Sequence, residues 1–422
     1  MKVKRIYDFL ILNKYGILTI LLFSFIHCTY SKTDKYRLVL REDLSTTIDI
    51  GWNQISGKAP LVYYGPIDQG LDFDKYPQKH MPDKVVQFKG MTNCFARIQY
   101  LKPDTRYYFV IKDEDSISKR FWFITGPDNH NGRISIIAGG DSRNNRDIRQ
   151  HANLLVSKLK PNLVMFGGDM VRSGSEEQWQ DWFDDWQLTI TENGRMIPII
   201  ATRGNHEREN EIIYNLFDTP SQQIYYALSL GKDLLRIYTL NTEVSIRGEQ
   251  TEWLKTDLEK HQNFIWRIAQ YHKPMRPHVL RKFEDELAYE YWAPLFYKYK
   301  VKLAVECDAH TVKVTWPIKP EKTKWKLEGF VRDDQNGTVY VGEGCWGAPT
   351  RPANDPKEWT RAYGEFNQFK WIFIDKNKME LRTIKVDNAS EVSSNSDENP
   401  FALPKNLAIW KPENGEVIVV YP

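Results

Sequence analysis

The sequence predicts an α/β chain in which an all-β sandwich leads into a layered domain of strands alternating with helices. Three observations carry this. Between Tyr36 and about Thr125, six or seven short alternating apolar runs are broken by turn residues, the spacing of a sandwich. From Ile134 onward, buried-type strands alternate with amphipathic helical stretches, which points to α/β layering. Residues 126–132 (GPDNHNG) lie between the two patterns and read as a linker. The 422 residues allow two or three domains, and 41% hydrophobic with 27% charged residues excludes a disordered, collagenous or multi-span membrane chain.

At the start, Lys2, Lys4, Arg5 and Lys14 against Asp8 precede the uncharged run 16–27, the layout of a secretory signal peptide over residues 1–28. The run is short for a membrane span, with a retained anchor as the alternative. Cys28 stands where a lipoprotein carries its acylated cysteine, yet Phe25, Ile26 and His27 lack the small residues of a cleavage box, so lipidation stays open. The expectation is an exported chain, periplasmic or on the outer surface, with a membrane tether through a lipidated Cys28 as one form. These leader charges account for the whole formal +3. The rest is balanced, which disfavours a nucleic-acid partner held by bulk charge. Cys94, Cys307 and Cys345 show no CxxC spacing and therefore no cysteine zinc site; a disulfide between Cys307 and Cys345 is open in an oxidising compartment.

Sandwich strands are expected at 36–40, 47–52, 61–64, 94–98, 107–111 and 120–124, within a domain over 36–126. The stretch 101–109 (LKPDTRYYF) resembles the L-x-P-x-T-x-Y-x-F run of fibronectin type III domains, whose tyrosine packs at a sandwich corner; a generic hairpin is the plain alternative. In the second domain, 133–388, strands are expected at 134–138, 163–166, 197–201, 234–240 and 264–269, and helices at 146–159, 176–188 and 249–261. Within the C-terminal extension, 389–422, residues 390–399 read as a solvated loop and 409–421 as a short returning strand pair.

Ligands of open α/β sheets gather beyond the carboxyl ends of strands, and the polar residues fall there. Asp141 follows Gly139 and Gly140, Asp169 follows Gly167 and Gly168, and Asn205, His206 and Glu207 follow Gly204. His272 follows the run ending at Tyr271, and Asp308 with His310 follows an apolar run ending at Cys307. Glycine permits a tight turn and a close approach to an ion, and carboxylate, amide and imidazole are the ligands of hard to borderline divalent metals. Two ions about 3.5–4 Å apart need a shared carboxylate plus separate ligands.

This ordered series, Gly140-Asp141, Gly168-Asp169, Gly204 to Glu207, His272 and Asp308 to His310, resembles the calcineurin-like metallophosphoesterase superfamily. With a sandwich in front it looks most like the purple acid phosphatase branch. The resemblance implies a two-sheet α/β-sandwich metallophosphoesterase domain behind a fibronectin III-like sandwich, and an exported phosphoesterase with two divalent metal ions (Fe, Mn or Zn). It implies that Asp141 binds one metal, Asp169 bridges both, Asn205 and His272 bind the second, Asp308 takes the place of the first histidine of the last motif, and His310 binds the first metal. His206 would face the phosphoryl oxygen or leaving group as general acid. Two positions depart from the family. Arg172 stands where purple acid phosphatases carry the tyrosine that binds ferric iron, which puts an obligatory ferric ion in doubt. Asp308 replaces a histidine; it either ligates, favouring harder ions such as Mn²⁺ or Mg²⁺, or stands behind the ligands.

Arg143 either reaches a substrate phosphate or pairs with Asp169 or Glu207. His278 either borders the pocket as a substrate-binding residue or lies on the surface, and Arg351 either selects a terminal phosphate or closes an ion pair. The substrate is a small-molecule or polymer phosphate ester, attacked in line by a water whose pKa the ions lower. A phosphomonoesterase of the acid phosphatase kind is the first reading; phosphodiesterase and nucleotidase share the same metal site. A non-catalytic binding module resting on Trp179, Trp182, Trp186 and Trp346 is the remaining alternative, against core packing of those rings.

Overall fold

The computed structural model describes residues 32–321 and 328–422; the expected signal peptide and Cys28 lie outside the described residues. Each alternating apolar run of the N-terminal part becomes a strand with its apolar side chains turned inward. Thr33–Val39, Ile48–Gln54, Met91–Ile98 and Lys84–Phe88 form one face. Gln78–His80, Leu61–Gly65, Arg106–Lys112 and Phe121–Ile124 form the other. Gln78–His80 and Lys84–Phe88 add to the expected strands; their partly exposed side chains give little apolar alternation to read. Tyr107 sits at a corner, its hydroxyl accepting the Lys102 N–H at 2.9 Å and its ring stacked on Phe123, which pins the end of the hairpin to the upstream chain.

This sandwich is not closed on itself. Thr33–Val39 runs parallel to Pro198–Ala201, with Leu38 opposite Pro198 and Val39 opposite Ile199, so one ten-stranded sheet crosses the linker. From that junction the sheet continues through Leu163–Phe166, Ile134–Gly139, Gln368–Ile374 and Met379–Lys385 to Val417–Val420. A seven-stranded sheet supplies the other layer, with Leu235–Thr239, Trp266–Gln270 and Val301–Glu306 parallel at its centre. Ile136, Met165 and Ile200 of the first sheet share a core with Ile237, Ile268 and Leu303 of the second. Outside the first sheet pack the helices Arg146–Leu159 and Glu176–Trp186, through Leu155, Val156, Trp182 and Trp186. Glu249–Lys260 and Ala293–Lys298 cover the second through Leu254, Leu258 and Phe296. The result is the expected two-sheet α/β sandwich. No helix among the described residues is long and apolar enough to cross a membrane.

Two local expectations are corrected and one open pairing is answered. The returning C-terminal pair is a single strand, Val417–Val420, hydrogen-bonded to the open edge of Met379–Lys385, while Ile409 makes only a lone bridge to Ile384. The loop 390–399 is docked rather than freely solvated: Asp397 meets Lys160 at 3.2 Å and Arg195 at 3.0 Å, and Asn395 is buried. Cys307 and Cys345 do not pair; both are buried free thiols.

Candidate metal centre

The parallel strands Ile134–Gly139, Leu163–Phe166 and Pro198–Ala201 deliver their carboxyl ends to one rim, and Trp266–Gln270 and Val301–Glu306 deliver theirs from the facing sheet. Immediately past those ends the backbone turns left-handed at Asp141 (φ 57°), Asp169 (φ 54°), Asp308 (φ 65°) and His310 (φ 58°). Side-chain-bearing residues seldom adopt this region, and where several cluster the surrounding structure holds them there. The turns also demand bare backbone. A Cβ on Gly168 would lie 2.4 Å from the Gly204 nitrogen, and one on Gly344 would collide with the Asp141 carboxylate.

Two groups of buried ligand-type atoms result, Asp141 with Asp169 and His310, and Asp169 with His272 and Asp308, the atoms of each lying within 4.8 Å of one another. Asp169 belongs to both. Asp141 Oδ1 is 3.0 Å from His310 Nε2, and His272 Nε2 is 3.4 Å from Asp169 Oδ1, 3.8 Å from Asp308 Oδ1 and 3.2 Å from Asn205 Oδ1. The imidazoles are oriented from behind. His272 Nδ1 donates to the Gly167 carbonyl (2.8 Å) and His310 Nδ1 to the Pro349 carbonyl (3.0 Å), which leaves both Nε2 atoms facing the cluster, the arrangement that suits a metal ligand.

Charge is concentrated accordingly. Burial opposes ionisation of Asp169, but His272 and then His206 outweigh it and hold the carboxyl well below its usual range. For His272, burial is overcome by Asp169, Asp141 and Asp308, which raise its proton affinity well above the ordinary value. Asp308 is likewise held low against burial by His272 and Lys282. Glu207, fully buried, is pushed up to about 7 by burial and by Asp169.

Family models match the sequence in two stretches that overlap at residues 120–125: calcineurin-like phosphoesterase over residues 120–313 and purple acid phosphatase, N-terminal domain, over residues 33–125. This chain carries a calcineurin-like phosphoesterase domain. None of the curated proteins compared with it matches. Among solved structures, purple acid phosphatase PPD1 isolated from yellow lupin (Lupinus luteus) seeds superposes with a TM-score of 0.71 at 17% identity, covering 88% of this chain and 76% of the lupin one. A structure of PhoD superposes with a TM-score of 0.64 at 11% identity, over 83% of this chain and 85% of the other. At such identities the likeness is one of fold. The phosphoesterase and purple acid phosphatase domains together mark the chain as a phosphoester hydrolase, and the family implies a dinuclear metal site.

The residues present fit such a site. With Nδ1 of His310 on the Pro349 carbonyl, its Nε2 and Asp141 Oδ1 lie 3.0 Å apart, a nitrogen and a carboxylate oxygen converging as two ligands of one ion do. Asp169 Oδ2 is buried and accepts no hydrogen bond. Of the sequence candidates, Asp141, Asp169, Asn205, His272, Asp308 and His310 converge. His206 joins them at the edge: its N–H bonds Asp169 Oδ1 (2.9 Å), Nδ1 donates to the Arg172 carbonyl, and Nε2 stands 3.8 Å from Asp169 Oδ2. Arg143 makes the ion pair of its plainer reading, with Nε 3.3 Å from Asp169 Oδ2, and its Nη2 lies 3.3 Å from His310 Nε2.

His278 is neither on the surface nor in contact with the cluster. It is fully buried against Trp359, with Nε2 on Thr360 Oγ1 at 2.7 Å, and burial with the charges of Lys313 and Lys357 keeps it neutral. Arg351 makes no ion pair among the described residues. Its guanidinium donates to the carbonyls of Asp308 (2.8 Å) and Ala309 (3.3 Å) and so holds the turn that carries His310. The four tryptophans are core: Trp179, Trp182, Trp186 and Trp346 are at most 1% exposed, which removes the aromatic basis of a binding module.

Sequence reasoning named Glu207 within the third motif without giving it its role, and missed Lys282. Glu207 accepts the N–H groups of Asp169 (2.9 Å), Met170 (2.7 Å) and Gly204 (2.7 Å), locking two strand-end turns together; its place right after His206 was the available signal. Lys282 donates to Asp308 at 2.6 Å. It lies in no recurring pattern, and only the fold brings it there.

Proposed function

We propose that the chain is an exported phosphomonoesterase of the acid phosphatase kind. The observation that carries this is the pair of ligand groups sharing Asp169, the donor set a two-ion clamp on a phosphoryl group requires. Asp141 and His310 would hold one ion, Asn205, His272 and Asp308 the other, and Asp169 both. When bound, the ions lower the pKa of water and bind phosphoryl oxygens. The rest is done by this chain's own groups. Arg143 places a guanidinium beside Asp169, where it can share the charge on the equatorial oxygens as a forked donor. His206, its Nδ1 tied to the Arg172 carbonyl, keeps Nε2 for the departing alkoxide, a proton transfer worth about a hundredfold or more.

Divalent Fe, Mn or Zn suits the set better than ferric iron, because Arg172 replaces the tyrosine. Lys282 on Asp308 offsets the negative charge that aspartate adds in place of histidine. Export, with a lipid tether at Cys28 as its anchored form, follows from the leader. The test is hydrolysis of a chromogenic aryl phosphomonoester and its diester analogue by metal-stripped protein restored separately with Mn²⁺, Zn²⁺ and Fe²⁺. Recovery of monoester cleavage supports the reading. A diester preference would make the enzyme a phosphodiesterase, and folded protein inactive with every ion would overturn the enzyme.

A further inference from the structure

Beside the metal-ligand cluster lies a cavity of about 250 Å³ between the N-terminal turns of Arg146–Leu159 and Glu176–Trp186, lined by Asn144, Arg146, Arg149, Arg172, Gln178 and Asp181. Its walls continue the two loops that carry Asp141 and Asp169. Arg143 Nη1 donates to Asn144 Oδ1 at 3.4 Å, and the Arg172 carbonyl receives the His206 Nδ1 proton. The cavity is therefore one residue from the group assigned to the leaving oxygen.

Its charges do not balance. Arg146 meets Asp181 at 2.7 Å and Asp185 at 2.9 Å, and Arg149 is paired with Asp185. Two acids thus match two arginines, and Arg172 is the surplus cation. The Arg172 backbone is fixed at both ends, its N–H on Gln178 Oε1 (3.1 Å) and its carbonyl on His206. Its side chain makes no ion pair or hydrogen bond among the described residues, and Arg172 is exposed and lines the cavity. A held backbone carrying an unspent forked donor is built to receive a planar or tetrahedral oxyanion.

We propose that this cavity is a second anion subsite, in which Arg172 binds an oxyanion, a carboxylate or a second phosphate, on the leaving-group side of the scissile ester. The inference rests on the phosphomonoesterase reading and narrows its substrates to phosphate esters whose alcohol portion is itself anionic.

The experiment is calorimetric binding of three non-hydrolysable ligands to the metal-loaded full chain: methylphosphonate, which lacks a second anion, phosphonoacetate and methylenediphosphonate. Wild type should bind at least one of the doubly anionic ligands about tenfold or more tighter than methylphosphonate. Arg172→Met should abolish that preference, and Arg172→Lys should retain part of it. The arm that loses more identifies carboxylate or phosphate as the natural group. An unchanged preference in both variants, or none in wild type, overturns the subsite. Aryl phosphate turnover, measured on the same samples, reports separately on the phosphomonoesterase reading. An inactive chain with an intact Arg172-dependent preference would keep the anion site and discard the enzyme.

Discussion

At the scale of single residues, the candidate site depends on which nitrogen of each histidine is spoken for. His272 and His310 spend Nδ1 on backbone carbonyls and keep Nε2 for the cluster; His206 does the same from the edge. His206→Ala should therefore lower kcat by about a hundredfold while two ions per chain are still counted by elemental analysis; a metal-poor variant would make His206 a ligand instead. Lys370, far from this chemistry in role, is fully buried and hydrogen-bonded to Thr383 Oγ1 at 2.9 Å, and burial lowers its pKa from 10.5 to about 7. Between pH 7 and 10.5 the unfolded chain then binds a proton that the folded chain does not, so Lys370 makes stability rise with pH over that window. Lys370→Met should raise stability at pH 6.5 by about 2 kcal/mol or more and flatten the rise, as read by urea unfolding across pH.

At the scale of elements, helices outside the first sheet brace loops at its rim. Trp182, on Glu176–Trp186, donates its indole N–H to Ser142 Oγ at 2.9 Å, and Ser142 Oγ donates to the Met170 carbonyl at 3.0 Å. One tryptophan thereby ties the Asp141 turn to the Asp169 turn. Trp182→Phe should cost about 1–2 kcal/mol in denaturant unfolding and weaken metal affinity measured by calorimetry. An effect on stability alone would show that the brace does not reach the ligands. How much of this was legible follows the same physics. Asp141, Asp169, Asn205 and His272 could be read because each stands just past an apolar strand with a local period. Arg351 could not be assigned, since its partners are backbone carbonyls that carry no sequence signal. Lys282 reaches Asp308 across 26 residues of chain, a contact that only the packing of the loops creates. His278 misled because six residues from a ligand is close in sequence, yet the chain turns it inward.

For the whole molecule, the sandwich and the phosphoesterase domain are joined by more than a linker. Asp218, buried just past the helix Asn210–Phe217, receives Arg97 at 2.7 Å, Lys84 at 3.1 Å and Arg41 at 3.0 Å, all from the N-terminal part. Asp218→Ala would leave three partly solvated cations facing one another without their shared carboxylate, so it should lower the denaturant midpoint. The wild-type chain should melt in one calorimetric transition; two separated transitions would show that sheet pairing and this ion cluster do not couple the parts. The sequence pattern changes at the linker, which is why the two parts could be told apart but not seen to share a sheet: a parallel pairing between residues about 160 apart leaves no local mark.

That pairing has a consequence in time. On a ribosome the chain emerges N-terminal end first, at about 5–20 residues per second. Thr33–Val39 must therefore wait roughly ten to thirty seconds for Pro198–Ala201 to appear beside it. Throughout that interval the nascent sandwich presents an unpaired strand edge to its neighbours. A chaperone that covers Thr33–Val39 until Pro198–Ala201 has emerged would spare it that exposure.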